Sequence, residues 1–326
     1  MKSSKIKLFI QKIIMQKIGS LKINQGAFLA PMADYTNVAF RELCKEYGAS
    51  LVYTELISAK ALTMKNKKTS QLILTSEKEK PVFLQLFGNN PDDFAKAVNF
   101  VEKKFPEKFA GYDLNAGCSV PKAKKGIYGS YLMNYPKLIG NIVQAMKFET
   151  KKPVTVKMRL GVNEETFLDC AKEAEGAGVD AVCLHARLGV DGYSGKVRWE
   201  KIKELKEKIS IPVIGNGDIN SAEDVLRIKK ETNCDYVMIG RSAIGNAFIF
   251  TQIQQALAGK KVFERTQQEK NKESEKYLKL AEKYGLKLND VRGYFFNWVK
   301  GEKGAPQKRN LISQVNNISE LSAVVF

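Results

Sequence analysis

The 326 residues encode an α/β architecture, a (β/α)8 TIM barrel followed by a small all-helical domain. Three observations carry this. Eight short runs rich in Val, Ile, Leu and Phe recur between Ala27 and Ile239, each the length of a buried strand. Segments with helical spacing separate them. Beyond about residue 262 the strands stop, and the chain becomes charged and helical.

In chain order the predicted strands cover residues 27–31, 51–55, 81–87, 111–115, 154–159, 180–185, 211–215 and 235–239. The predicted helices between them cover 37–47, 91–104, 136–149, 164–176, 198–208 and 221–231. Pro91-Asp92-Asp93 starts one helix, and Ser221-Ala222-Glu223-Asp224 has the form of a capping box. An open doubly wound sheet is the structural alternative. Its first strand would lead into a Gly-rich fingerprint, and the APMADYT that begins at Ala30 is not one. The domains divide into 1–262, with 1–16 a basic extension, and 263–326. In the second domain, Tyr294, Phe295, Phe296 and Trp298 interleave with Lys and Arg between Arg292 and Asn310. These aromatics read as the core of a small bundle whose basic face binds RNA.

Lys and Arg outnumber Asp and Glu 53 to 35, a net charge of +18. Such a surface either keeps a lysine-rich protein in solution or attracts a polyanion such as RNA or DNA. Cys44, Cys118, Cys170, Cys183 and Cys234 form no CxxC pair and no His spacing for zinc, so no metal is expected and the thiols read as reduced and cytoplasmic. No apolar run approaches the roughly 20 residues of a membrane span. The opening, MKSSKIKLFIQKIIMQKIGSL, lacks a small-residue cleavage site and is not read as a secretory signal. It reads as an amphipathic basic arm, or as untranslated leader if synthesis starts at Met15; native protein carrying residues before Met15, seen by mass spectrometry, decides for the arm.

In a barrel of this kind the chemistry lies at the carboxyl ends of the strands. Cys118 follows the fourth strand across the turn Asn115-Ala116-Gly117, placed either for chemistry or as a small buried apolar residue. Other exits carry Pro31-Met32-Ala33, Gln85, Lys157 with Arg159, His185 with Arg187, Asn216-Gly217-Asp218 and Gly240-Arg241. The last two supply glycine amides, Arg241 and a helix start at Ser221, all suited to a phosphate dianion, though glycines are also ordinary turn residues. Lys157, inside an apolar strand, calls for an anion: the edge of a reduced flavin, or a carboxylate such as Glu55 or Asp113. His185, the single histidine, is either a site residue or a satisfied structural group.

Taken in order, LAPMADYTNVAFR, TELISAKAL, QLFG, DLNAGC, VKMRLG, LHAR, GNGDI and IGRSAIGN, with the tail WVKGEKGAPQKRNLI, resemble the tRNA-dihydrouridine synthases over roughly residues 17–320. The resemblance implies a flavoenzyme that reduces uracil rings in tRNA, with FMN on the barrel mouth of 1–262 and a tRNA-binding domain in 263–326. It implies flavin contacts at Pro31, Met32, Ala33, Gln85, Lys157, His185, Asn216, Gly217, Asp218, Gly240 and Arg241, and a proton donor at Cys118 with Asn115 orienting flavin or base. The expected tRNA contacts are Lys122, Lys124, Lys125, Arg187, Arg292, Lys300, Lys308 and Arg309. NADPH or NADH is the expected reductant, and a monomer the expected form. One departure stands out: the family usually has proline directly after the cysteine, whereas this chain has Ser119, with proline at Pro121.

The chemistry is consistent with these residues. Saturating C5=C6 of uracil needs a hydride at C6 and a proton at C5 from the opposite side, and an ordinary thiol, with a pKa near ~8.5, is still protonated at neutral pH. Extruding the base costs a few kcal/mol, which phosphate contacts offset. Two other readings compete. An FMN barrel acting on a small molecule, of the dihydroorotate-dehydrogenase type, would turn over without RNA, and a non-catalytic RNA-binding protein would purify colourless.

Overall fold

The computed structural model describes residues 16–64 and 67–325, so the reading of the first 15 residues falls outside the described chain. Eight strands form the barrel: β1 (Ala27–Leu29), β2 (Val52–Tyr53), β3 (Val82–Phe87), β4 (Gly111–Ala116), β5 (Val154–Met158), β6 (Ala181–His185), β7 (Val213–Asn216) and β8 (Tyr236–Ile239). They lie in the order β1-β8-β7-β6-β5-β4-β3-β2, every pair parallel. A parallel bridge between Phe28 and Leu51, with Leu29 N donating to Leu51 O at 2.9 Å, joins the two ends. Helices α1 (Val38–Glu46), α2 (Ala59–Thr63), α3 (Pro91–Lys104), α4 (Pro136–Glu149), α5 (Phe167–Gly176), α6 (Glu200–Lys208), α7 (Ala222–Thr232) and α8 (Ile249–Leu257) follow the strands in turn. The TIM barrel is thus the observed fold, and most predicted bounds shift by only one to three residues.

The period of two along each strand divides the core in two. Outward positions such as Val82, Leu84, Leu86, Leu114, Val156, Val182 and Val237 pack under the helices. Inward positions Phe28, Tyr53, Phe83, Cys183, Ile214, Tyr236 and Met238 fill the barrel. A hairpin of Gln16–Ile18 and Leu21–Ile23 adds Ile18 and Ile23 to that inner cluster. Towards the strand exits the inward positions turn polar: Gln85, Asn115, Lys157, His185 and Asn216. Register aligns them, with Asn115 opposite Lys157 and Asn216 opposite His185.

Helix starts follow local chemistry. Asn90 caps α3, with Pro91 in the first turn. Ser221 caps α7 by accepting from Asp224 N at 3.1 Å, while the Asp224 carboxylate reaches back past Ser221 to Asn220 N at 2.9 Å, one residue beyond the amide that the predicted box would use.

The C-terminal region is helical: α9 (Gln267–Lys283), α10 (Leu288–Trp298), α11 (Ala305–Gln314) and α12 (Ile318–Val325). Tyr277 and Tyr294 pack their rings against Phe40 of α1 at 6.2 and 5.9 Å. Glu273, fully buried, accepts from the amides of Ala247 and Phe248 at 2.8 and 3.3 Å and from Tyr294 Oη at 2.6 Å, and pairs with Arg265 at 3.0 Å. A buried carboxylate with four partners fixes the helices firmly to the loop that leads into α8. Tyr294, Phe295 and Trp298 are buried, so the tail's aromatics serve packing.

Candidate active site

Cys118 lies two residues beyond β4 and is half-buried, whereas the other four cysteines are buried. Both of its backbone groups are held. Its N–H donates to Asn115 Oδ1 at 3.0 Å, alongside Gly117 N at 3.2 Å, and its carbonyl accepts from Ser130 N at 2.8 Å. Gly129, at φ +61°, permits that second contact: a Cβ there would lie 2.3 Å from Cys118 O. Asn115 Nδ2 donates to Gln85 Oε1 at 2.8 Å, so both ends of the asparagine amide are engaged within the protein. Arg159, 2% exposed, donates to Gly117 O at 2.9 Å and to Leu188 O and Gly192 O at 2.8 and 2.9 Å, tying the cysteine loop to the loop after β6.

From the neighbouring strand onward the groups round the mouth are cationic. Lys157 Nζ donates to the neutral Asn216 Oδ1 at 3.1 Å, and among the described residues it forms no ion pair. The interior pairing with Glu55 or Asp113 does not form. Glu55 instead accepts Asp34 N at 2.7 Å, and Asp113 is taken by Gln85 and Thr155. Burial, reinforced by Lys157, Arg159, Arg187 and Arg241, pushes His185 well below the ordinary histidine range, so the imidazole is neutral. Gly217, at φ +118°, lets His185 pack close, because a Cβ there would lie 2.9 Å from His185 Cδ2. Asp218 receives both arms of Arg187 and also Arg241 at 3.1 Å, and the bonds to Arg187 hold its carboxyl below the usual range. Met32 and Ala30 flank Gly240, which joins the exits of β1 and β8. Pro31 is half-buried and Ala33 exposed.

Residues 28–325 match the family model described as dihydrouridine synthase (Dus). The chain belongs to the dihydrouridine synthase family. A relative in Aquifex aeolicus (strain VF5), named "Probable tRNA-dihydrouridine synthase", is 40% identical over 230 residues, covering 70% of this chain and 72% of that one. One of the same name in Treponema pallidum (strain Nichols) is 31% identical over 322 residues, 94% of each chain. Among solved structures, the old yellow enzyme homologue from Zymomonas mobilis shares the fold, with a TM-score of 0.55 at 12% identity over 79% of this chain and 95% of that one.

Ser119 directly follows Cys118, and Pro121 opens the short helix Pro121–Gly126. That helix carries Lys122, Lys124 and Lys125, all exposed, directly behind Cys118. Arg187, expected among the tRNA contacts, lies buried. It is 2% exposed, grips Asp218 and donates its Nε to Gly195 O, so its guanidinium is spent inside the site. In the tail Lys300 is exposed, Lys308 pairs with Glu302 at 2.6 Å, Arg309 donates to Phe296 O at 3.2 Å, and half-buried Arg292 donates to Val315 O at 2.6 Å.

The sequence reading also missed Tyr193. It is 62% exposed, with Arg159 and Arg241 over its ring at 5.4 and 4.8 Å and His185 at 6.4 Å. It stands in an irregular loop where no period marks it. An open cavity of about 1040 Å³ lies elsewhere, on the outer wall between α4 and α5, and gathers no comparable chemistry.

Proposed function

We propose that this protein is a tRNA-dihydrouridine synthase that uses FMN and a nicotinamide reductant, NADPH or NADH, to saturate the C5=C6 bond of uridines in tRNA. The observation that carries the reading is the meeting of two features on neighbouring strands at one barrel mouth: a half-exposed cysteine with both backbone groups fixed, and an excess of cations led by Lys157, which among the described residues has no carboxylate partner. An ammonium with three donors and one neutral acceptor is suited to an anionic ligand. Pro31, Met32, Ala33, Gln85 and Lys157 would hold the flavin ring, and His185, Asn216, Gly217, Asp218, Gly240 and Arg241 its phosphate end. Bound there, the flavin supplies the hydride that C6 accepts.

The chain's own residues do the rest. Cys118 holds the proton for C5 on the other face of the base, and its fixed backbone aims it. Neutral His185 donates or accepts one hydrogen bond without adding charge. Lys122, Lys124, Lys125, Lys300, Lys308 and Arg309 face tRNA phosphates, which offsets the few kcal/mol needed to extrude a base. The test is direct. Purified protein should be yellow with released FMN, and should form dihydrouridine in tRNA from cells lacking the gene. A colourless protein that binds RNA, or turnover of a free pyrimidine without RNA, overturns the proposal.

A further inference from the structure

We infer that Asp113 is a positioning residue for Cys118, acting through the side chains of Gln85 and Asn115; the inference rests on the acid role proposed for that cysteine. Asp113 is 1% exposed at the barrel centre, one pleat below Asn115 on β4. Its Oδ2 accepts from Gln85 Nε2 at 2.7 Å and its Oδ1 from Thr155 Oγ1 at 2.5 Å. Gln85 Oε1 then accepts from Asn115 Nδ2 at 2.8 Å, and Asn115 Oδ1 accepts the amides of Gly117 and Cys118.

The polarity of this relay is forced from both ends. Backbone N–H groups only donate, so Asn115 must turn its oxygen to them and its NH₂ to Gln85. Gln85 must then turn its oxygen to Asn115 and its NH₂ to residue 113, which must accept. A carboxylate does so. A protonated carboxyl does so as well, with its hydrogen on the Thr155 side, so the relay survives the upward push that burial gives Asp113. Neither amide can flip without leaving a buried donor facing a donor, because Gln85 and Asn115 are 1% and 7% exposed. A carboxyl is a costly way to fill a barrel among Tyr53, Phe83 and Cys183. What it supplies is an acceptor that selects one orientation of two amides, and through them the seat of the Cys118 N–H.

The experiment uses the full-length purified protein with whatever cofactor it carries. Hydrogen exchange read by mass spectrometry should show the Gly117 and Cys118 amides protected in the wild type; exchange at free-chain rates overturns the relay whatever the variants do. Asp113→Asn keeps an acceptor towards Gln85 and should preserve that protection and the rate of Cys118 alkylation by iodoacetamide. Asp113→Leu should speed exchange at both amides about tenfold, the ratio for removal of one buried hydrogen bond, and change the alkylation rate, while the four buried cysteines stay unmodified. Gln85→Met breaks the same relay from its middle and serves if Asp113→Leu does not fold. Unchanged exchange in a folded Leu or Met variant sinks the inference. Protected amides in a wild type that fails to reduce uridine would instead sink the proposed function and leave the relay standing.

Discussion

The two ends of the barrel interior obey opposite rules on the same strands. At the amino end, inward positions are filled by Phe28, Tyr53, Phe83, Ile214 and Tyr236, with ring centroids 4.7 Å apart in a tilted pair (Phe28 and Tyr236) and 5.6 Å apart edge-on (Tyr53 and Phe83), and the hairpin plugs them from below. At the carboxyl end the same inward face carries Gln85, Asn115, Lys157, His185 and Asn216. The outward face stays mostly aliphatic along its length, with Tyr112 the aromatic exception. A barrel can therefore exchange packing for chemistry at strand exits, because the helices grip only the other face.

Substitutions should break this contrast in graded fashion. The largest effect belongs at the polar end. Cys118→Ala should lower uridine reduction about 10²–10⁴-fold, as for loss of a general acid. Its unfolding free energy should stay within about 0.5 kcal/mol of the parent. Single-turnover kinetics and denaturant titration check the two halves, and full turnover would remove the acid assignment. Phe83→Ala should invert the pattern: about 3–5 kcal/mol lost in denaturant unfolding, with flavin content per folded molecule unchanged.

Asp113 sits at the border of the two regimes, facing Gln85, Thr155, Lys157, Tyr53 and Cys183. Burial outweighs its hydrogen bonds and Lys157 and raises its carboxyl from the ordinary 3.8 to about 7. Between those values the folded state binds more protons than the unfolded one, so stability falls as pH rises through the window. Asp113→Asn removes the titration. Relative to the parent it should gain up to about 1.4 kcal/mol per pH unit from about pH 4 to about pH 7, then level off. Melting curves across that range check the slope, and parallel curves would show that the carboxyl does not titrate there.

The smallest effect belongs on the exposed surface behind Cys118. Replacing Lys122, Lys124 or Lys125 singly by Gln should weaken tRNA binding and lower the log–log salt slope by about 0.7–0.9 for each phosphate that is no longer neutralised. Arg187→Gln, by contrast, should disturb Asp218 and leave that slope unchanged, because its guanidinium faces inward.

Much was legible in the order of residues alone. Strands buried on both faces read as apolar runs, helices as a longer period, and polar residues at strand exits as a site, so the eightfold alternation, Cys118, Lys157 and His185 could be picked out without coordinates. Partners across the barrel could not. Nothing local distinguishes Arg187, spent on Asp218 31 residues away, from a lysine that faces solvent. Nor does it say that Gln85, rather than Lys157, takes the Asp113 carboxylate, or that Gly129 must stay bare for the Cys118 carbonyl. Sequence periodicity decides which face a side chain occupies. Strand register and the few ångströms of a hydrogen bond decide whom it meets there, and those are properties of the closed barrel.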